Sequence, residues 1–281
     1  VKYRFFVFLF FICLFQLKIC GQHVASPQRL GEIKGQFVYM KADLLGNIFT
    51  LAQGGQLKKY NAVFDSTGVF NEVKRFGQLH SIQTENPLRT LLYFKSYKTI
   101  LLLDRFMQVV NRIDLRKANI FQVNAIAQSY DNKIWLFDEL DARLKKVSDQ
   151  GNVELETGDL RLLLGLNPNP DVIFELEKYV CMYDPTNGLM LFDQLGAYRN
   201  TIPIKGWNNV HGIGDIVIGI YRGKLMGYHV KNLKIIELLD LTNLTVGIER
   251  QVVASGQRLY ILGQTGIVIY SIPVGMNKLA D

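Results

Sequence analysis

Histidine and cysteine, the side chains best suited to metal binding and nucleophilic attack, are scarce in this chain of 281 residues. The histidines are His23, His80, His211 and His229, and the cysteines are Cys13, Cys20 and Cys181. Gly-x-Ser-x-Gly, His-Glu-x-x-His, Gly-x-x-x-x-Gly-Lys and Cys-x-x-Cys are all missing. That removes the hydrolases, metalloproteases, nucleotide loops and dithiol sites that announce themselves by motif. Cys181 stands inside the apolar run Tyr179-Val180-Cys181-Met182-Tyr183, where a thiol packs as a small hydrophobe. Two oxygen-rich stretches invite a calcium reading. Asp138-Glu139-Leu140-Asp141 lacks the alternating ligands of a calcium loop, and Asp184-Pro185-Thr186-Asn187-Gly188 is a good turn in its own right. Both read as turns. Asn243-Leu244-Thr245 fits a glycosylation acceptor.

Without a local motif, any site must be assembled from separate elements, and those elements repeat. Residues 132–138 and 143–147 read as two strands joined by a short turn, rich in β-branched and aromatic side chains. The same pair recurs at 47–51 with 56–60, 91–94 with 99–104, and 179–183 with 188–193. It returns at 215–218 with 224–228 and at 258–262 with 266–270. Anchored on Ile48, Leu92, Ile134, Val180, Val217 and Leu259, the spacings are 44, 42, 46, 37 and 42 residues. Six such units without a long helical pattern predict an all-β chain, a six-bladed β-propeller of four-stranded blades. One blade alone exposes two apolar faces, and a closed ring covers both.

Inner strands are expected at 37–40, 80–82, 125–127, 172–174, 210–213 and 252–254. Outer strands are expected at 69–70, 109–113, 153–155, 198–202 and 235–238. The sixth blade lacks an outer strand of its own. Gly31-Glu32-Ile33-Lys34, ahead of the first inner strand, is expected to supply it, so that an N-terminal strand closes the ring.

Lys2 and Arg4 precede an unbroken apolar run, residues 5–15. A basic start, eleven apolar residues and a small residue beyond them read as a secretory signal peptide, too short to span a bilayer. Cleavage is expected after Gly21, which makes residues 1–21 the leader and 22–281 a single propeller domain; lipidation at Cys20 is the alternative. Losing Lys2, Arg4 and Lys18 leaves 29 basic against 25 acidic residues, a net charge of +4. That mild excess, without a basic cluster, disfavours a nucleic-acid partner. Cys181 then stands alone, so core packing rather than a disulfide must hold the exported chain together.

The third unit carries a resemblance in Ala125-Ile126-Ala127, Asp131-Asn132-Lys133-Ile134-Trp135-Leu136-Phe137-Asp138 and Arg143-Leu144. The first adds Asp43-Leu44-Leu45-Gly46-Asn47-Ile48. On these stretches the chain resembles the secreted six-bladed propellers with NHL-type and SMP-30-type repeats. Over residues 30–273 it is similar to exported propellers of Gram-negative bacteria. The shared motifs fix turns and strands, so the resemblance implies the fold and says little of the chemistry.

Within such a ring, His80 and His211 fall on the inner strands of the second and fifth units, opposite each other. A channel metal held by both with Glu85 or Glu175 would suit a propeller lactonase or hydrolase. Two histidines bonded inside the channel is the favoured reading, with no metal and no cofactor. Trp135 reads as a wedge between blades. Trp207, in the crossing from the fourth unit to the fifth, shares a face with the turns holding Tyr97, Tyr221 and Arg222. These four form the candidate binding rim, with Trp207 folded inwards over the core as the competing placement. The expected function is a non-enzymatic binding or scaffold module, periplasmic, outer-membrane associated or extracellular. Its expected partner is a protein or cell-envelope component, met without a transmembrane span. A glycan bound by rim aromatics is a third reading.

Overall fold

A computed structural model describes residues 26–244 and 251–272. The expected leader with Cys13 and Cys20, together with His23 and Thr245, lies outside them. The described chain forms six antiparallel sheets of four strands, each ordered from the inside of a ring outwards. Blade one is β2–β5 (Phe37–Ala42, Ile48–Ala52, Leu57–Tyr60, Ser66–Phe70) and blade two is β6–β9 (Ser81–Asn86, Arg89–Phe94, Thr99–Asp104, Val109–Asp114). Blade three is β10–β13 (Val123–Gln128, Ile134–Asp138, Arg143–Val147, Val153–Glu156). Blade four is β14–β17 (Val172–Leu176, Tyr179–Asp184, Gly188–Asp193, Tyr198–Ile202). Blade five is β18–β21 (Asn208–Ile213, Ile216–Tyr221, Lys224–His229, Lys234–Asp240). Blade six takes β22–β24 (Gln251–Ser255, Arg258–Leu262, Gly266–Ser271) and completes itself with β1 (Gln28–Lys34).

Strand β1 runs antiparallel to β24, from Gln28 opposite Ser271 to Lys34 opposite Gly266. It thereby covers Ile267 and Ile269, both fully buried. This is the N-terminal closure that the missing sixth outer strand implied.

The apolar core is divided rather than central. Six clusters of buried side chains among the described residues each lie at a junction between neighbouring blades. Trp135 is the wedge of the junction between blades three and four. Its indole N–H donates to Glu175 Oε1 at 2.7 Å, and the same carboxylate accepts from Ser129 Oγ and the Tyr130 backbone N–H. Cys181 is fully buried at the next junction, and burial pushes its thiol pKa up.

Alternation of strand direction gives the ring two unlike faces. One, the crossing face, carries the passages between blades and the turn joining the two middle strands of each. The other, the turn face, carries the turns from first to second strand and from third to fourth. The few helical pieces stand on the crossing face: α1 (Leu160–Leu164) and the 3-10 turns Glu72–Phe76 and Leu115–Ala118 in the crossings, and the 3-10 turn Lys95–Tyr97 between β7 and β8. Among the described residues no helix is long and apolar enough to cross a membrane.

Candidate functional site

The channel encloses a cavity of about 790 Å³, a volume that suits a small ligand. His80, Asp171 and Asn208 line it near the crossing face, and Lys41, Glu85 and His211 line it further in. Most of these groups are already engaged. His80 Nε2 lies 2.8 Å from the Asn124 carbonyl oxygen on blade three, and the ring meets Tyr93 edge to face. His211 sits between two carbonyl oxygens, with Nε2 2.6 Å from Ala254 and Nδ1 3.0 Å from Asn209. Two acceptors favour a doubly protonated ring. Burial, helped by the Lys41 charge, outweighs them and holds the His211 pKa down at about 4.

The carboxylates are committed too. Glu175 is saturated by the three donors of the Trp135 junction, and Glu85 faces Lys41 at 3.9 Å. Asp171 differs, since burial and the neighbouring Asp184 carboxylate hold its pKa above the ordinary range. Among the described residues no group of three or more His, Cys, Asp and Glu side chains is placed to hold a metal. Asp184 instead organises its own turn, accepting from the backbone N–H groups of Asn169, Thr186 and Asn187. Asp138 does the same for Leu140 and pairs with the buried Lys145 at 2.7 Å.

The four rim candidates share the crossing face but do not gather. Tyr97 belongs to blade two, where its half-exposed ring stands over Gly77. Tyr221 and Arg222 belong to blade five, across the ring, with the guanidinium 5.0 Å from the Tyr221 ring centre. Trp207 folds inwards over the core and is only 4% exposed, the competing placement rather than the outward one. The cause is a glycine: Gly219 on β19 has no side chain, and the indole rests on it so closely that a Cβ there would lie 2.8 Å from Cε3. The Trp207 backbone N–H donates to Tyr183 Oη at 2.7 Å. Gly206, in the left-handed region at φ 70°, turns the chain into that position.

Sequence reasoning passed over Phe121, Leu140, Leu162 and Leu163, all exposed on the crossing face between blades two and four. The last two ride on α1, whose Leu160 and Leu164 enter the core beneath. Asp159 caps this helix by accepting the Arg161 N–H at 2.9 Å, and Gly165 ends it at φ 66°. The signal was Asp159 set immediately before Leu160-Arg161-Leu162-Leu163-Leu164. One turn is too short to display a helical period.

No protein-family model matches the chain, and no curated protein matches it in sequence. Solved structures match its fold. The WD40 domain of Pan2 from Neurospora crassa superposes with a TM-score of 0.64 at 9% identity, covering 89% of this chain and 96% of that one. BamB from Moraxella catarrhalis gives 0.54 at 10% identity, over 88% and 97%. Virginiamycin B lyase from Staphylococcus aureus, solved with quinupristin, gives 0.57 at 10% identity, over 88% and 98%. These define the class as a β-propeller. At such identities they carry nothing finer.

Proposed function

We propose that the chain is an exported, non-enzymatic binding or scaffold propeller that holds a protein or cell-envelope component on its crossing face. In this reading residues 1–21 are the leader, and 22–281 form one propeller of the NHL and SMP-30 repeat type in a Gram-negative envelope. The observation that carries it is the exposure of Phe121, Leu140, Leu162 and Leu163 on consecutive crossing-face connections, the same face as Tyr97. Apolar side chains exposed in this number on one face suit a partner's surface. Tyr221 with Arg222 offers a second contact across the ring, and Trp207 props that side from beneath. The fold of a WD40 domain and of BamB is compatible with such a role. The engaged state of His80, His211 and Glu175 speaks against channel chemistry, and no cofactor or nucleic acid enters the reading.

The test is photo-crosslinking in the native envelope from position 162, followed by affinity measurement with the captured partner. Leu140→Ser combined with Leu162→Ser is expected to weaken that partner by roughly tenfold or more. His80→Ala is expected to leave its affinity unchanged. Stoichiometric metal in the purified protein, lost together with binding on His80→Ala or His211→Ala, would overturn the reading in favour of a channel hydrolase or lactonase.

A further inference from the structure

The opposite face repeats one small device. In five of its turns an Asp or Asn side chain accepts the backbone N–H of the residue two positions on, and that residue is a large apolar one. The pairs are Asp43 with Leu45 at 3.0 Å, Asn61 with Val63 at 3.1 Å and Asn86 with Leu88 at 3.0 Å. Asp104 with Phe106 and Asp193 with Leu195 follow, both at 2.9 Å. The bond fixes the turn and aims the next side chain but one into water. Nothing in that geometry asks for an apolar residue. The same turn is built with Thr186 after Asp184, and with Lys133 after Asp131.

Leu44, Tyr130 and Leu233 project from the same face, and the eight side chains are 59% to 78% exposed. The crossing face uses the device once with an apolar residue, Leu140 after Asp138. Single exposed leucines need no explanation, but eight large apolar side chains on the turn tips of one face do.

We propose that the turn face lies on a lipid bilayer, with these tips entering the boundary between headgroups and acyl chains. Three observations choose lipid over a folded partner. The tips stand on separate turns of five blades rather than around one groove, so a flat, fluid surface can meet all of them at once. The three capping acids, Asp43, Asp104 and Asp193, accept from their own loops and the exposed Glu177 is paired with Lys231, whereas Arg105, Lys178 and Lys234 are exposed beside the tips. Arg105 stacks 4.6 Å from the Phe106 ring centre, a pairing suited to a phosphate above and a hydrocarbon below. Finally, the chain enters the fold at this face. Gln28 pairs with Ser271 at the turn-face end of β24, so residues 1–25, with Lys2, Arg4 and the apolar run 5–15, connect here. A lipidated Cys20 or a retained apolar segment would tether the chain to a membrane at this face.

The test places a tryptophan reporter at the tips of the full chain. Both native tryptophans are buried, Trp135 completely and Trp207 nearly so, and leave a constant background. With vesicles of phosphatidylethanolamine and phosphatidylglycerol carrying brominated acyl chains, the Phe106→Trp and Leu195→Trp variants are expected to blue-shift and be quenched. Leu162→Trp, on the crossing face, is expected to do neither. Leu88→Ser, Phe106→Ser and Leu195→Ser together should lower vesicle partitioning by on the order of a hundredfold, with an unchanged unfolding temperature as the control for folding. Vesicle binding with an unquenched Phe106→Trp reporter would overturn the proposal, since the N-terminal segment would then bind alone. Quenching at position 162 instead, absence of vesicle binding, or protection of the tips only by a co-purifying protein would overturn it as well.

Discussion

Replacing Trp207 by alanine separates a wedge from a binding anchor, and the outcome follows from the seat under the indole. Trp207 is 4% exposed and belongs to the core between blades four and five, with Tyr183, Ile204 and Val210. Its hydrogen bond to Tyr183 is made by the backbone N–H and survives the substitution, so the loss is one of packing. Emptying a buried Trp site costs about 3–5 kcal/mol. In a domain of this size that corresponds to a fall of roughly 10 °C in the unfolding midpoint. Gly219→Ala supplies the check on mechanism. In the wild-type background its Cβ would meet Cε3 at 2.8 Å and Val210 Cγ2 at 3.1 Å, an overpacking worth about 1–3 kcal/mol. In the Trp207→Ala background the same methyl group enters the vacated space, so its cost should vanish or change sign. Thermal and denaturant unfolding of the four proteins measures the coupling directly. A Trp207→Ala midpoint within about 2 °C of wild type would refute the seat, as would a Gly219→Ala cost equal in both backgrounds.

Deleting residues 22–35 removes β1 and uncovers Ile267 and Ile269, so the midpoint should fall by more than roughly 10 °C in differential scanning calorimetry. A truncated protein as stable as the chain starting at residue 22 would contradict the closure. His211 predicts a pH dependence of known sign. Its pKa is held down at about 4 in the folded chain, against about 6.5 when unfolded. The unfolded state therefore binds the extra proton between those values, and stability should fall as pH drops from about 6.5 to about 4, then level off. His211→Asn should flatten that segment of the stability profile, and an unaltered slope would count against the assignment.

The ring was legible in the sequence because blades repeat. Six strand pairs at nearly equal spacing leave little else to build, and the orphan sixth blade pointed to residues 31–34 as its missing strand. Glu175 was legible only as a carboxylate near the channel. Its three donors arrive from Ser129, Tyr130 and Trp135, and nothing in a linear reading joins positions 40 to 46 residues apart. Trp207 shows a different shortfall. The connection Lys205-Gly206-Trp207-Asn208-Asn209 has a loop's composition, and what draws its indole inwards is a bare glycine twelve positions later. A glycine inside the strand Ile216–Tyr221 was the available clue, since such a glycine marks the close approach of another group. The turn tips were visible as Asp-Leu-Leu, Asn-Ala-Val, Asn-Pro-Leu, Asp-Arg-Phe and Asp-Gln-Leu. Nothing in a linear reading singles them out together, because composition alone cannot say that the five point the same way.

The pairing of β1 with β24 also sets the order of events in folding. Each blade beyond its seams is made of hairpins between consecutive strands, contacts that form as soon as a few dozen residues are free. The latch is the exception, since Gln28 must find Ser271 across 243 positions. A chain threading through a translocation pore from its N-terminus would present its first strand long before the partner emerges. Five blades can therefore condense while the sixth stays open, and closure becomes a late, high-contact-order step. The same latch is the natural place for the finished ring to breathe. Amide protons of residues 28–34 and 266–271 are expected to exchange together, ahead of the central strands of blade three.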